Sequence, residues 1–175
     1  VLLLLEHGAL VDLPNARGHT PLMIVAGMDW PSSPTRGQFK TEEESIETID
    51  ILMAHGADIN AITGDPARRP VTEISDPERG AGLQQAIRGA PQNDNQNALH
   101  AAAKVGWLKI AKHLMDKGIK QELRDASGRT PFDWAMGRYP AAFNQSTPEP
   151  MIEMGLLLQE ECIKSNACEM REPVD

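Results

Sequence analysis

Aromatic side chains are scarce: Phe, Trp and Tyr together make up 4% of the 175 residues. A sheet sandwich or barrel draws heavily on aromatic and β-branched bulk, so a core of that kind is disfavoured. Apolar residues still reach 41%, with Leu, Ile, Ala, Met and Val supplying most of them, and these suit helices packed at close range. Cysteine is almost absent. Cys162 and Cys168, six residues apart, exclude a disulfide-stapled scaffold and supply no zinc-ligand spacing. One local disulfide and two free thiols both remain compatible with them. Cations are in deficit, 17 against 25 carboxylates for a formal net charge of −8, and they are scattered, which argues against a nucleic-acid partner. Long apolar runs are missing as well. The longest, Val1 to Leu5, falls far short of the roughly 20 residues that span a bilayer, so membrane insertion is not expected.

Catalytic signatures are equally thin. There is no GxSxG elbow, no P-loop and no glycine fingerprint after a strand. His7, His19, His55, His100 and His113 form no HxH or HExxH pair, and no metal or cofactor is expected. His7 and His55 instead precede glycines that end helices, where an imidazole meets terminal carbonyls. The acidic run Glu42-Glu43-Glu44 opens a helix, and its negative charge suits the positive end of the helix dipole.

What the sequence does contain is repetition. Leu4–Asp12 (LLEHGALVD), Leu52–Asn60 (LMAHGADIN) and Leu114–Glu122 (LMDKGIKQE) each end an apolar helix on a glycine, at Gly8, Gly56 and Gly118. Gly18–Gly27 (GHTPLMIVAG), Asn95–Gly106 (NQNALHAAAKVG) and Gly128–Gly137 (GRTPFDWAMG) each begin one, with Thr20, Asn97 or Thr130 as the N-cap. Gly8 to Thr20 and Gly118 to Thr130 are both 12 residues, and Asn97 to Gly118 is 21, so one helix pair with its turn occupies 33. Thr20 to Gly56 exceeds the expected 21 by 15, a surplus placed in the Pro- and Ser-rich stretch 29–40. After it, Thr41 and Glu44 form a capping box, and Ile46, Ile49, Leu52 and Met53 carry helical spacing. Gly56 to Asn97 exceeds 12 by 29. Leu83, Ile87 and Gly89 allow that stretch to be either a collapsed repeat or a long inserted loop.

Thr20-Pro21-Leu22, Ala98-Leu99-His100, Gly106 and Gly56-Ala57-Asp58-Ile59-Asn60 on this common spacing resemble the ankyrin repeat. The resemblance implies an all-α fold: an ankyrin-type α-solenoid of stacked helix-turn-helix repeats with turn or loop fingers. On that frame, 1–164 is a single solenoid. It comprises a half repeat (1–15), a repeat with its insertion (16–61), the insertion or degenerate repeat (62–96), a repeat (97–125) and a C-terminal repeat or cap (126–164). A flexible tail follows at 165–175. The chain opens without methionine inside a helical pattern, so it is expected to be a piece of something longer.

The resemblance further implies a non-catalytic module that binds a protein or peptide through turn tips and the concave face of the first helices. Carried onto this chain, the tips offer Arg17, His19, Asp94, Gln96, Ser127 and Arg129, and the first-helix face offers Met28, Lys104, Val105 and Arg138. In the same family His100 is expected to bond across to a neighbouring turn. Trp30 and Trp107 each lie ten residues after their N-cap, at the turn between the helices. Either they cover that turn and pack on the next unit, or they form an aromatic patch for a partner. Trp134, inside a first helix, is expected to be buried. The alternative function is a C-terminal accessory or regulatory domain of an enzyme whose catalytic part precedes residue 1. A small-molecule site between the two insertions is a third reading. The expected state is a soluble monomer; the compartment stays open between the cytoplasm, which a small acidic chain suits, and export.

Overall fold

The computed structural model describes residues 1–15, 17–28, 41–65, 95–138 and 149–165. Seven helices occupy them: α1 (Leu2–Glu6), α2 (Pro21–Val25), α3 (Glu42–Ala54), α4 (Ala98–Val105), α5 (Leu108–Asp116), α6 (Pro131–Ala135) and α7 (Ile152–Lys164). No strand occurs among the described residues, and the fold is helical.

Each start and stop follows from side-chain chemistry. Thr20 Oγ1 accepts the Met23 N–H at 3.4 Å, and Thr130 and Asp133 cap one another reciprocally. Asn97 takes the same role with both the Leu99 and His100 N–H groups, and Thr41 and Glu44 form the expected capping box. The endings also recur. Ala9, Ala57 and Ile119 N–H groups reach back to the carbonyls of Leu4, Leu52 and Leu114, and the glycine before each donates to the residue three earlier. That is one Schellman closure used three times. His7 Nδ1–H and His55 Nδ1–H donate to the Leu3 and Ile51 carbonyls at 2.7 and 2.8 Å, as their positions predicted.

The helices pack in two rows. α2, α4 and α6 contact one another in series, as do α3, α5 and α7, and each first-row helix packs on the second-row helix that follows it. α4 lies at the centre of its row and shows why the chain is rich in alanine: Ala98, Ala101, Ala102 and Ala103 are all at most 1% exposed. Short side chains there let two flanking backbones approach closely. Units are tied together by a hydrogen bond at a repeated position. Asp12 Oδ2 accepts the Asp58 N–H at 3.0 Å, and Asn60 Oδ1, four residues after its glycine as Asp12 is, accepts the Lys120 N–H at 2.8 Å. The acidic opening of α3 serves its neighbour as well as itself: Glu42 Oε2 accepts the Lys109 and Ile110 N–H groups, so it caps α5, whose N-cap Trp107 offers no side-chain acceptor. Glu43 pairs with Lys109.

The long excess before Asn97 enters and leaves at one rung. Thr63 N–H donates to the Gln96 carbonyl at 2.8 Å and Asn95 N–H to the Thr63 carbonyl at 2.9 Å. The ordinary turns close the same way, Asn15 to His19 and Asp125 to Arg129. α2 packs directly on α4 and α3 on α5. The stretches 29–40 and 66–94, with Leu83, Ile87 and Gly89, lie outside the described residues, as do 139–148 and the tail from 166. Cys162 is buried and disulfide-bonded; Cys168 is the chain's other cysteine and falls in that tail.

α1 leaves Leu2, Leu3 and Leu4 between 47% and 68% exposed, so one end of the stack presents an uncovered apolar face. No described helix is long and apolar enough to cross a membrane.

Gly27 is a point of close approach between two units. It holds φ at +108°, and a Cβ there would lie 3.0 Å from Val105 Cγ2 and 3.2 Å from Trp107 Cζ3. Gly8 has φ +85° but open space around the same position. Gly8→Ala therefore carries backbone strain alone, about 1 kcal/mol, and Gly27→Ala adds displacement of an indole for a total of about 2–4 kcal/mol. Urea midpoints of the two variants measure this; equal losses would show that the Trp107 contact is not a constraint.

Candidate interaction surface

The turn tips line up beside the first row of helices. A Cβ on Gly18 would lie 3.2 Å from the Gly64 N, and Asn95 Nδ2–H donates to the Arg124 carbonyl, so three successive tips adjoin one another. Within a tip, an Asx side chain organises the backbone: Asn15 Oδ1 accepts the Arg17 and His19 N–H groups, and Asp125 Oδ1 accepts those of Ser127 and Arg129. Both acceptors sit five residues before a helix N-cap.

Asp125 is the centre of the surface. Its side chain has no exposed area, yet its second oxygen receives Gln96 Nε2–H at 3.1 Å, Trp134 Nε1–H at 2.9 Å and the Arg129 guanidinium at 3.1 to 3.2 Å. Burial opposes ionisation of this carboxyl, but it is outweighed by the Arg129 backbone N–H, the Trp134 indole, Gln96 and the Ser127 N–H, and the net effect holds it below its usual range. The Trp134 ring in turn has Lys104 Nζ 3.9 Å and Arg129 Cζ 4.2 Å from its centroid. Lys104 also donates to Gln96 Oε1 at 2.7 Å, which closes the network. Next to it, His100 Nε2–H donates to the Arg129 carbonyl at 3.2 Å, while Nδ1 lies against Asn97, 2.8 Å from its side-chain Oδ1 and 3.3 Å from its backbone N–H. Burial pushes the His100 pKa down to about 4.

The predicted site residues divide accordingly. Arg17, Ser127 and Arg138 are exposed at tips or at the end of α6, and His19, Lys104 and Val105 are partly exposed. Gln96 at 0% and Met28 at 7% exposure are corrected to internal positions. Gln96 has both amide ends bonded within the protein, and Met28 belongs to the apolar core, so neither reaches a partner. Arg129 is partly buried and committed to Asp125 and the indole. Trp107 packs on the core and over Gly27, so it does pack between units, but against the preceding unit and not the next one as expected. Trp134 is buried at 9%. Trp30 and Asp94 lie outside the described residues.

No protein-family model matches the chain, and no curated protein sequence matches it. The surface must therefore be read from its own chemistry. Asp125 and Arg124 were missed by sequence reasoning; the Asx residue five before a cap, shared with Asn15, was the available signal. Among the described residues no three His, Cys, Asp or Glu side chains cluster in a way that would hold a metal ion.

Proposed function

We propose that the chain is a stack of ankyrin-type repeats acting as a non-catalytic interaction module, which takes a protein segment or peptide along its turn tips and first-helix row. The observation that carries this reading is the recurrence of one bonding scheme at equivalent positions, which lines the tips into a continuous ledge beside α2, α4 and α6. The motifs Thr20-Pro21-Leu22 and Ala98-Leu99-His100 fit it, with His100 bridging to the next tip as that family implies. An internally braced face is also suited to binding, because the Asp125–Trp134–Lys104 network fixes side chains before any partner arrives.

The test is selection of a displayed random-peptide library on the immobilised 175-residue chain. Peptides enriched on it should bind at least about tenfold more weakly to the Arg17→Glu/Arg138→Glu chain, a loss of about 1.4 kcal/mol, with unchanged thermal unfolding. Lys112→Glu, on the opposite row, should leave them unaffected. Peptides that bind the double variant as tightly as the parent place recognition elsewhere.

A further inference from the structure

We infer that the segment recognised on this ledge is acidic. The inference deepens the interaction-module reading and rests on it.

The argument is the distribution of charge. The chain as a whole carries −8, yet the tips and first-row helices carry the opposite sign. Five cations lie there, Arg17, Lys104, Arg124, Arg129 and Arg138, against the carboxylates Asp65, Asp125 and Asp133. Asp125 and Arg129 neutralise one another as a mostly buried pair, which leaves Arg17, Lys104, Arg124 and Arg138 against Asp65 and Asp133, and Asp133 Oδ2 is engaged by both the N–H and the hydroxyl of Thr130 at 2.9 Å. The other row inverts the balance. From 1 to 14, 41 to 62, 108 to 123 and 149 to 165 there are fourteen carboxylates against five lysines. Stretch 66–94 is balanced in sequence at four arginines and four carboxylates.

Segregation of this kind matters because helix rows are separated by about 8–10 Å, comparable to the screening length at physiological salt. A ligand on the ledge therefore feels the local cations more than the distant carboxylates. Arg138 is exposed and lies over the Phe132 ring at 5.4 Å, and Lys104 lies over the Trp134 ring at 3.9 Å, so each of these cations rests on an aromatic face. A partner with carboxylates at intervals matches single cations spaced one or two per unit. A nucleic acid, with a phosphate at every step, demands denser positive charge than five residues spread over three tips.

The experiment uses the same peptide selection on the full chain, read for charge. Enriched peptides should be net acidic relative to the starting library, and replacing Asp and Glu by Asn and Gln in the tightest one should weaken binding at least about tenfold at low salt, with a smaller effect at high salt. A single-stranded oligonucleotide of matching length should fail to compete. Enriched peptides that are neutral or basic, yet sensitive to Arg17→Glu/Arg138→Glu, overturn the inference and leave the interaction module standing. Efficient competition by the oligonucleotide overturns it in favour of a general polyanion site. Enrichment of peptides indifferent to the ledge, or of none, removes the underlying reading and the inference with it.

Discussion

Asp125→Ala should cost about 3–5 kcal/mol, enough to unfold a large part of the population of a marginally stable chain. The cost does not come from a lost ion pair at the surface. Removal of the carboxylate leaves Gln96 Nε2–H, Trp134 Nε1–H, the Arg129 guanidinium and the Ser127 and Arg129 N–H groups without their acceptor at one site. Asp125→Asn should be nearly as severe. Both carboxylate oxygens receive at least two donors, so either orientation of an asparagine amide turns its NH₂ toward donors. Loss of the turn then propagates, because the Arg129 carbonyl that it positions is the acceptor for His100 Nε2–H in the preceding unit. Urea unfolding followed by far-ultraviolet circular dichroism measures the effect, with the exposed Glu160→Ala as a control expected to change stability by less than about 0.5 kcal/mol. A loss below about 1 kcal/mol for both Asp125 variants would mean that water satisfies these donors.

That network also shows where sequence reading succeeds and stops. Helix ends were legible because caps act over three to five residues: Thr20, Asn97 and Thr130 start helices and Gly8, Gly56 and Gly118 end them for reasons contained in the local chain. Repeat spacing was legible for the same reason, and it located the surplus residues before Asn97. The direction of a side chain at a tip was not. Gln96 and Arg17 occupy similar polar turns in the sequence, yet Gln96 is sealed between Lys104 and Asp125, 29 residues further on, while Arg17 is exposed to solvent. Its burial depends on which side chain the next unit brings against it, and no window around residue 96 contains that information. Glu42 is the same case. Its position in a first turn predicts a favourable dipole, but its bond to α5 spans 67 residues. Sequence arithmetic likewise allowed two readings of 62–96 and gave no sign that Thr63 and Gln96, near its two ends, pair on one rung.

His100 should make the fold acid-sensitive in a window above the carboxylate range. Desolvation is the largest influence on its ring; the Arg129 carbonyl and the Asp125 charge favour protonation, and the Lys104 and Arg129 charges oppose it, for a folded pKa of about 4 against an ordinary 6.5. The sign follows directly. As pH falls below 6.5 the unfolded chain takes up a proton that the folded chain refuses, so stability declines until the folded ring also titrates near 4. At 1.36 kcal/mol per unit, a difference of about 2.5 units corresponds to about 3 kcal/mol in full, of which about 2 kcal/mol should be lost between pH 7 and pH 4.5. Asp125, with its carboxyl held below the usual value, adds its own loss at more acidic pH, which is why the measurement should stop at 4.5. His100→Gln supplies the comparison. Its amide can still donate toward the Arg129 carbonyl, but it does not titrate, so this variant should lose stability at neutral pH through imperfect packing and show a flatter pH dependence than the parent. Urea midpoints of the two chains at pH 7, 6, 5 and 4.5 decide the matter. Parallel curves would place the acid sensitivity in some group other than His100 and would mean that the bridge between units admits a proton without strain.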